Sequence, residues 1–151
     1  TIKKPFASAF TKSLNMKTQT RRHRFFQFAA STLAGAAILF LLSFVQNGPP
    51  PQKGEYFLSS FFRNEVSWLA LVIFAILAFA ACYALQWNAW ITGFGLIAVL
   101  PILAIVESTI YRGSHNLIPF EMMLYAYFAL PGLAAALLGA FLARRKNRTS
   151  Q

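Results

Sequence analysis

The residues best suited to do chemistry lie in one short polar segment, residues 107–121, between two long apolar runs. This segment contains two of the four acidic residues, Glu107 and Glu121, and one of the two histidines, His115. An imidazole and two carboxylates could hold Zn²⁺ or relay a proton, and the guanidinium of Arg112 could hold a phosphate. We therefore take Glu107, His115 and Glu121 as candidate catalytic residues.

The motifs that would strengthen a catalytic or metal site are absent from the sequence. It has no His-Glu-x-x-His pattern, no histidine pair four residues apart, and no Asp for a Ser-His-Asp set. Its single cysteine, Cys82, excludes an intramolecular disulfide and a cysteine-cluster metal site. We therefore expect no metal and no cofactor. The other interpretation is a loop that contacts a partner or lipid headgroups through Arg112, Ser114, His115 and Asn116.

Four apolar segments account for most of the remaining chain. Hydrophobic residues make up 57% of the 151 residues and charged residues only 12%, about half the charged share of a soluble domain. The apolar runs cover residues 25–45, 65–85, 90–106 and 122–143. Each is long enough to cross a hydrocarbon core of about 30 Å. The sequence therefore predicts an all-α polytopic membrane protein, with an antiparallel four-helix transmembrane bundle over residues 25–143.

The basic residues lie mainly in two tails that flank this bundle, residues 1–24 and residues 144–151. Eleven of the 14 Lys and Arg residues belong to these tails, and only three lie in the two long connectors. The positive-inside rule therefore places both termini in the cytoplasm. This orientation predicts the cytoplasmic membrane of a bacterium, with the mitochondrial inner membrane as the alternative.

The tails are expected to contact anionic lipid rather than nucleic acid, because their charges sit directly beside membrane segments. In the N-terminal tail, apolar residues recur every four positions, which favours an amphipathic helix lying on the membrane surface. A disordered basic tail and an organellar presequence are two other interpretations of the same segment.

Small residues and prolines mark where the predicted helices should pack and bend. Four small residues are expected at close helix contacts: Gly35, Gly132, Ala136 and Gly139. Pro101 is expected to kink the third span, and Pro131 to make the strongest break in the molecule.

The acidic residues differ in the helix end that each would occupy. Glu65 and Glu121 begin helices, where the helix dipole stabilises a carboxylate. Asn64 is available as the N-cap of the helix that follows it. Glu107 instead ends a helix, where the dipole disfavours an anion. We therefore expect Glu107 to pair with Arg112 or to lie in water.

The predicted hydrocarbon region contains no Asp, Glu, Lys, Arg or His, although ion-coupled carriers usually need such a group. We therefore favour a non-catalytic protein that binds another membrane protein, as an accessory subunit or as a protector against an envelope-acting toxin. The first alternative is a lipid-active enzyme or lipid transporter that uses Glu107, Arg112, His115 and Glu121 at headgroup depth. The second is a channel built from several copies of the chain.

Overall fold

A computed structural model of the chain describes residues 5–46, 57–110 and 118–149. Helices make up almost all of this part: α1 (Pro5–Gln46), α2 (Phe57–Asn64), α3 (Trp68–Ala84), α4 (Ala89–Gly95), α5 (Val99–Ile110) and α6 (Ile118–Thr149). These described residues contain no strand. The all-α class expected from the sequence is therefore confirmed for them.

Two of the helices contain a segment long and apolar enough to cross a membrane, Arg21–Gln46 in α1 and Pro119–Arg148 in α6. Two helix pairs reach that length only together: α2 with α3, bent by 84°, and α4 with α5, bent by 54°. The described residues therefore provide two spans, or up to four if each bent pair is one span. Apolar helices of this length are typical of an integral membrane protein.

The bend between α2 and α3 lies at residues 65–67, inside the segment expected to begin the second span. The N-cap of α3 is Ser67, whose hydroxyl accepts a hydrogen bond from the backbone N–H of Ala70 at 3.3 Å. The expected N-cap, Asn64, is instead the last residue of α2. The expectation was wrong because the chain turns before α3 begins, with the N–H of Ser67 bonded to the Glu65 carbonyl.

The bend between α4 and α5 lies just before Pro101, which occupies the first turn of α5. Because proline has no backbone N–H, the carbonyl of Ile97 has no helical donor four residues later. It accepts a hydrogen bond from the N–H of Leu100 instead, at 3.0 Å. This tighter turn places the change of direction three to five residues before the proline, at residues 96–98.

The expectation that Pro131 makes the strongest break in the molecule was wrong. Helix α6 continues through Pro131 from Ile118 to Thr149, and the sharp bends among the described helices are those of 84° and 54°. Pro131 lacks only its own N–H, so a single carbonyl, that of Tyr127, loses its helical donor. The remaining bonds and the packing of α3 and α4 on α6 maintain the helix.

Glycines occupy points of close helix approach, where a side chain would not fit. A Cβ added at Gly35 of α1 would overlap the backbone carbonyl of Leu96. One added at Gly139 of α6 would lie 2.6 Å from the carbonyl oxygen of Phe79 in α3. These contacts join α1 to the α4–α5 turn and α6 to α3.

The other two small residues expected at helix contacts, Gly132 and Ala136, also lie inside α6. Ala136 is completely buried. A Cβ at Gly132 would meet its nearest atom, the carbonyl oxygen of Gly93, at an ordinary 3.7 Å. Gly93 and Gly95 of α4, which the sequence did not single out, are packed more tightly, against α6 and α1 respectively.

Helix α1 is held to the molecule by one narrow stripe of side chains. Among its described residues, those that are buried recur every three or four positions: Gln27, Ser31, Gly35, Leu39 and Leu42. Only 22% of the most apolar stretch of the segment Arg21–Gln46 is buried inside the molecule. Most of the α1 surface is therefore available to lipid.

Candidate functional site

Glu107 caps the N-terminus of α2, although it lies at the far end of α5. Its two carboxylate oxygens accept hydrogen bonds from the backbone N–H groups of Leu58 and Ser59, at 2.7 and 2.8 Å. The first N–H groups of a helix have no helical partner and carry partial positive charge, so a carboxylate is a favourable partner. The Glu107 side chain is only 4% exposed.

This contact gives Glu107 a partner that the sequence did not suggest. Its expected partner, Arg112, lies outside the described residues. The C-terminus of α5 offers the carboxylate no favourable helix dipole, as expected from the sequence. The helix end that stabilises Glu107 is the N-terminus of α2, which packs against α5. The site therefore positions α2 and leaves both oxygens of Glu107 engaged.

Glu121 holds the other end of α2 through an ion pair. Its Oε1 accepts a hydrogen bond at 3.0 Å from Arg63, in the last turn of α2. Glu121 also lies in the first turn of α6, where the helix dipole favours a carboxylate, as expected from the sequence. The two acids Glu107 and Glu121 thus fix the two ends of one short helix.

Two further polar groups are buried at the same end of the molecule. Glu65 is 2% exposed, and one of its carboxylate oxygens has no hydrogen-bond partner among the described residues. The buried hydroxyl of Tyr125 lies near Glu121, Glu107 and Arg63. We call these five residues at one end of the molecule the α2 polar cluster: Arg63, Glu65, Glu107, Glu121 and Tyr125.

The proposed His115 set stays a prediction. Arg112, Ser114, His115 and Asn116 all lie outside the described residues. Within residues 5–46, 57–110 and 118–149, no group of three His, Cys, Asp or Glu side chains is placed to hold a metal ion. The observed chemistry of Glu107 and Glu121 is hydrogen bonding to α2.

A second polar site, which the sequence did not single out, lies at the opposite end of the molecule. The side chain of Gln27 is 3% exposed, bonds His23 at 3.0 Å and accepts a hydrogen bond from the backbone N–H of Asn88 at 3.4 Å. Beside it is a cavity of about 570 Å³, the basic-end cavity, lined by His23, Arg24, Gln27, Gln86, Trp87, Asn88, Ala89, Trp90, Leu137, Ala140, Phe141 and Arg144. The sequence signal that could have indicated this site is Gln27, a glutamine at the start of an apolar run.

An apolar groove of about 470 Å³ runs between α3 and α6. It is lined by Val66, Ser67, Trp68, Leu71, Tyr127, Phe128, Leu130 and Pro131. The indole of Trp68 is 82% exposed and the ring of Tyr127 is 65% exposed. This α3–α6 groove therefore presents large aromatic surfaces outside the packed core.

Comparison with protein-family models, curated proteins and solved structures finds no match to this chain.

The ion pair between Arg63 and Glu121 should contribute about 1 kcal/mol of coupling free energy, since both side chains are partly shielded from solvent. A double-mutant cycle with Arg63→Gln, Glu121→Gln and the double variant, followed by unfolding in detergent micelles, measures this coupling. The charge-swapped variant, Arg63→Glu with Glu121→Arg, should recover part of the loss. Additive losses in the cycle would show that the pair contributes nothing.

Proposed function

We propose that this protein is a non-catalytic membrane scaffold that works by binding another membrane protein, as an accessory subunit of a larger complex. This proposal rests on the observation that the candidate catalytic acids Glu107 and Glu121 are hydrogen-bonded to groups of α2. Both oxygens of Glu107 bond backbone N–H groups of α2, and Glu121 pairs with Arg63. A general acid or base needs an accessible atom near its substrate, and here these carboxylates hold a helix in place.

The proposed architecture is a four-span bundle with both termini in the cytoplasm. It counts each bent pair, α2 with α3 and α4 with α5, as one span beside α1 and α6. The concentration of Lys and Arg in the two tails supports this orientation. The same distribution of charge supports the cytoplasmic membrane of a bacterium as the location, with the mitochondrial inner membrane as the alternative.

The α3–α6 groove is the proposed contact surface for the partner. Aromatic side chains supply large contact areas at low cost in conformational entropy, and they are enriched where proteins associate. Trp68 and Tyr127 are mainly exposed at this groove, whereas Phe74 and Leu100 fill the core. A helix of a membrane partner, with one bulky apolar side chain directed into the groove, fits its shape and chemistry.

Photocrosslinking in intact membranes tests this proposal. A photoreactive amino acid placed at Trp68 or Tyr127 should give one discrete adduct with a different membrane protein. The matched control is Phe44, which is 69% exposed on α1 and does not line the groove. It should give mainly lipid adducts.

Three other outcomes would contradict the proposal. Lipid adducts alone at all three positions would show that the groove faces only the bilayer. An adduct with a second copy of the chain would favour the homo-oligomeric channel. Loss of lipid turnover or lipid flipping in Glu107→Gln and Glu121→Gln variants that remain folded would favour the enzyme or transporter.

A further inference from the structure

The basic-end cavity has the position of a lipid headgroup site. Arg24 lies near the start of the apolar segment Arg21–Gln46, and Arg144 lies near the end of the segment Pro119–Arg148. Both residues line the cavity together with His23. The ends of membrane-crossing segments lie at headgroup level, so the cavity opens where phospholipid phosphates are located.

The charges that line the cavity are all of one sign. Arg24 and Arg144 contribute two positive charges, His23 can add a third, and the lining includes no acidic residue. Within the described part of the chain, neither Arg24 nor Arg144 forms an ion pair. Guanidinium groups bind phosphate through charge-assisted, bidentate hydrogen bonds. The cavity therefore offers an anion two strong donors that no carboxylate of the cavity neutralises.

The remaining walls suit the other parts of a phospholipid. Gln27 is buried and polar, and its amide group is held by His23 and Asn88 at the side of the cavity. Leu137 and Phe141 of α6 supply an apolar wall, along which an acyl chain can lie. Trp90 is 58% exposed at the rim, and tryptophan is enriched at the boundary between headgroups and hydrocarbon.

We propose that the basic-end cavity binds the phosphate-bearing headgroup of an anionic phospholipid, with Arg24 and Arg144 as the phosphate ligands. The volume of about 570 Å³ falls within the usual range of small-molecule sites. The site differs from general attraction of lipid to the basic tails, because it depends on two particular arginines from two different helices. It is also separate from the α3–α6 groove.

Native mass spectrometry of the full chain in mild detergent tests this site, with phosphatidylglycerol and phosphatidylcholine of identical acyl chains as probes. The wild type should bind phosphatidylglycerol more tightly than phosphatidylcholine. Arg24→Gln combined with Arg144→Gln should weaken phosphatidylglycerol binding by about tenfold or more. The control, Arg22→Gln combined with Arg148→Gln, removes the same charge from the same two helices at positions outside the cavity. It should change binding by less than about threefold.

The outcomes distinguish a specific lipid site from general surface attraction and from a site for free phosphate. Equal weakening in both double variants would show general surface attraction and overturn the proposal. Unchanged phosphatidylglycerol binding in the Arg24 and Arg144 variant would also overturn it. Inorganic phosphate, added as a competitor, should not displace the lipid. Displacement by phosphate that requires the same two arginines would identify a free-phosphate site and overturn the lipid assignment. The melting temperature of each variant, compared with the wild type, verifies that the tested proteins are folded.

Discussion

Replacing Glu107 with Ala should destabilise the protein by about 2–4 kcal/mol, because it leaves backbone N–H groups at the start of α2 without their acceptor. Those groups belong to Leu58 and Ser59, and the Ser59 side chain is almost completely buried. The loss should appear as a lower midpoint of thermal or denaturant unfolding in detergent micelles. Helix α2 should also become more accessible to proteases, since Glu107 fixes its N-terminus.

Two variants make the Glu107 prediction specific. Glu107→Gln keeps one acceptor oxygen but presents an NH₂ group to a backbone donor, so it should also be destabilising. Thr109→Ala is the matched control, because Thr109 is exposed and its hydroxyl bonds only the Val106 carbonyl of its own helix. It should change stability by less than about 0.5 kcal/mol. If Glu107→Ala unfolded at the same midpoint as the wild type, Glu107 would not stabilise the N-terminus of α2.

The second large effect is expected from adding one methyl group at the closest helix contacts. Gly35→Ala and Gly139→Ala should each lower stability by about 1–3 kcal/mol, because the new Cβ meets backbone carbonyl groups that move only with their helices. Overpacking at Gly35 should separate α1 from the α4–α5 turn. Overpacking at Gly139 should displace α6 from α3. Unfolding in micelles measures both losses.

Gly132→Ala is the control for this glycine series, and its expected sign is opposite. The nearest atom to the added Cβ, the carbonyl oxygen of Gly93, is 3.7 Å away, which is an ordinary van der Waals contact. Alanine is favoured over glycine inside a helix by up to about 1 kcal/mol. Gly132→Ala should therefore be neutral or stabilising. If all three variants had equal stability, close helix approach would not be the reason for these glycines.

The helical class of the fold could be predicted because it follows from composition and from the length of the apolar runs. The helix ends were harder to predict, because each depends on a local competition between residues. Ser67 rather than Asn64 caps α3, since α2 uses Asn64 as its own last residue. Pro101 did signal a change of direction, but the turn precedes it and ends at the first residues of α5.

The partners in the α2 polar cluster could be predicted only in part. From the helix dipole, Glu107 could be identified as an acid that its own helix does not stabilise. It could not identify the N–H groups of Leu58 and Ser59, which lie almost fifty residues earlier in the chain. That contact depends on the 84° bend that lays α2 across the end of the molecule. Sequence patterns record the periodicity of each helix and carry little information about such a bend.

The narrow attachment of α1 has a consequence for how the protein is made. Helix α1 leaves the ribosome before α4, the helix with which it makes most of its contacts, so it can enter the bilayer before those contacts form. Its single buried stripe contains only two polar side chains in the described residues, Gln27 and Ser31. The cost of exposing them to lipid should be small, because Gln27 lies near the start of the apolar segment Arg21–Gln46 and the Ser31 hydroxyl can bond a backbone carbonyl of its own helix. Membrane insertion of α1 can therefore precede its packing against Gly95 and Leu96.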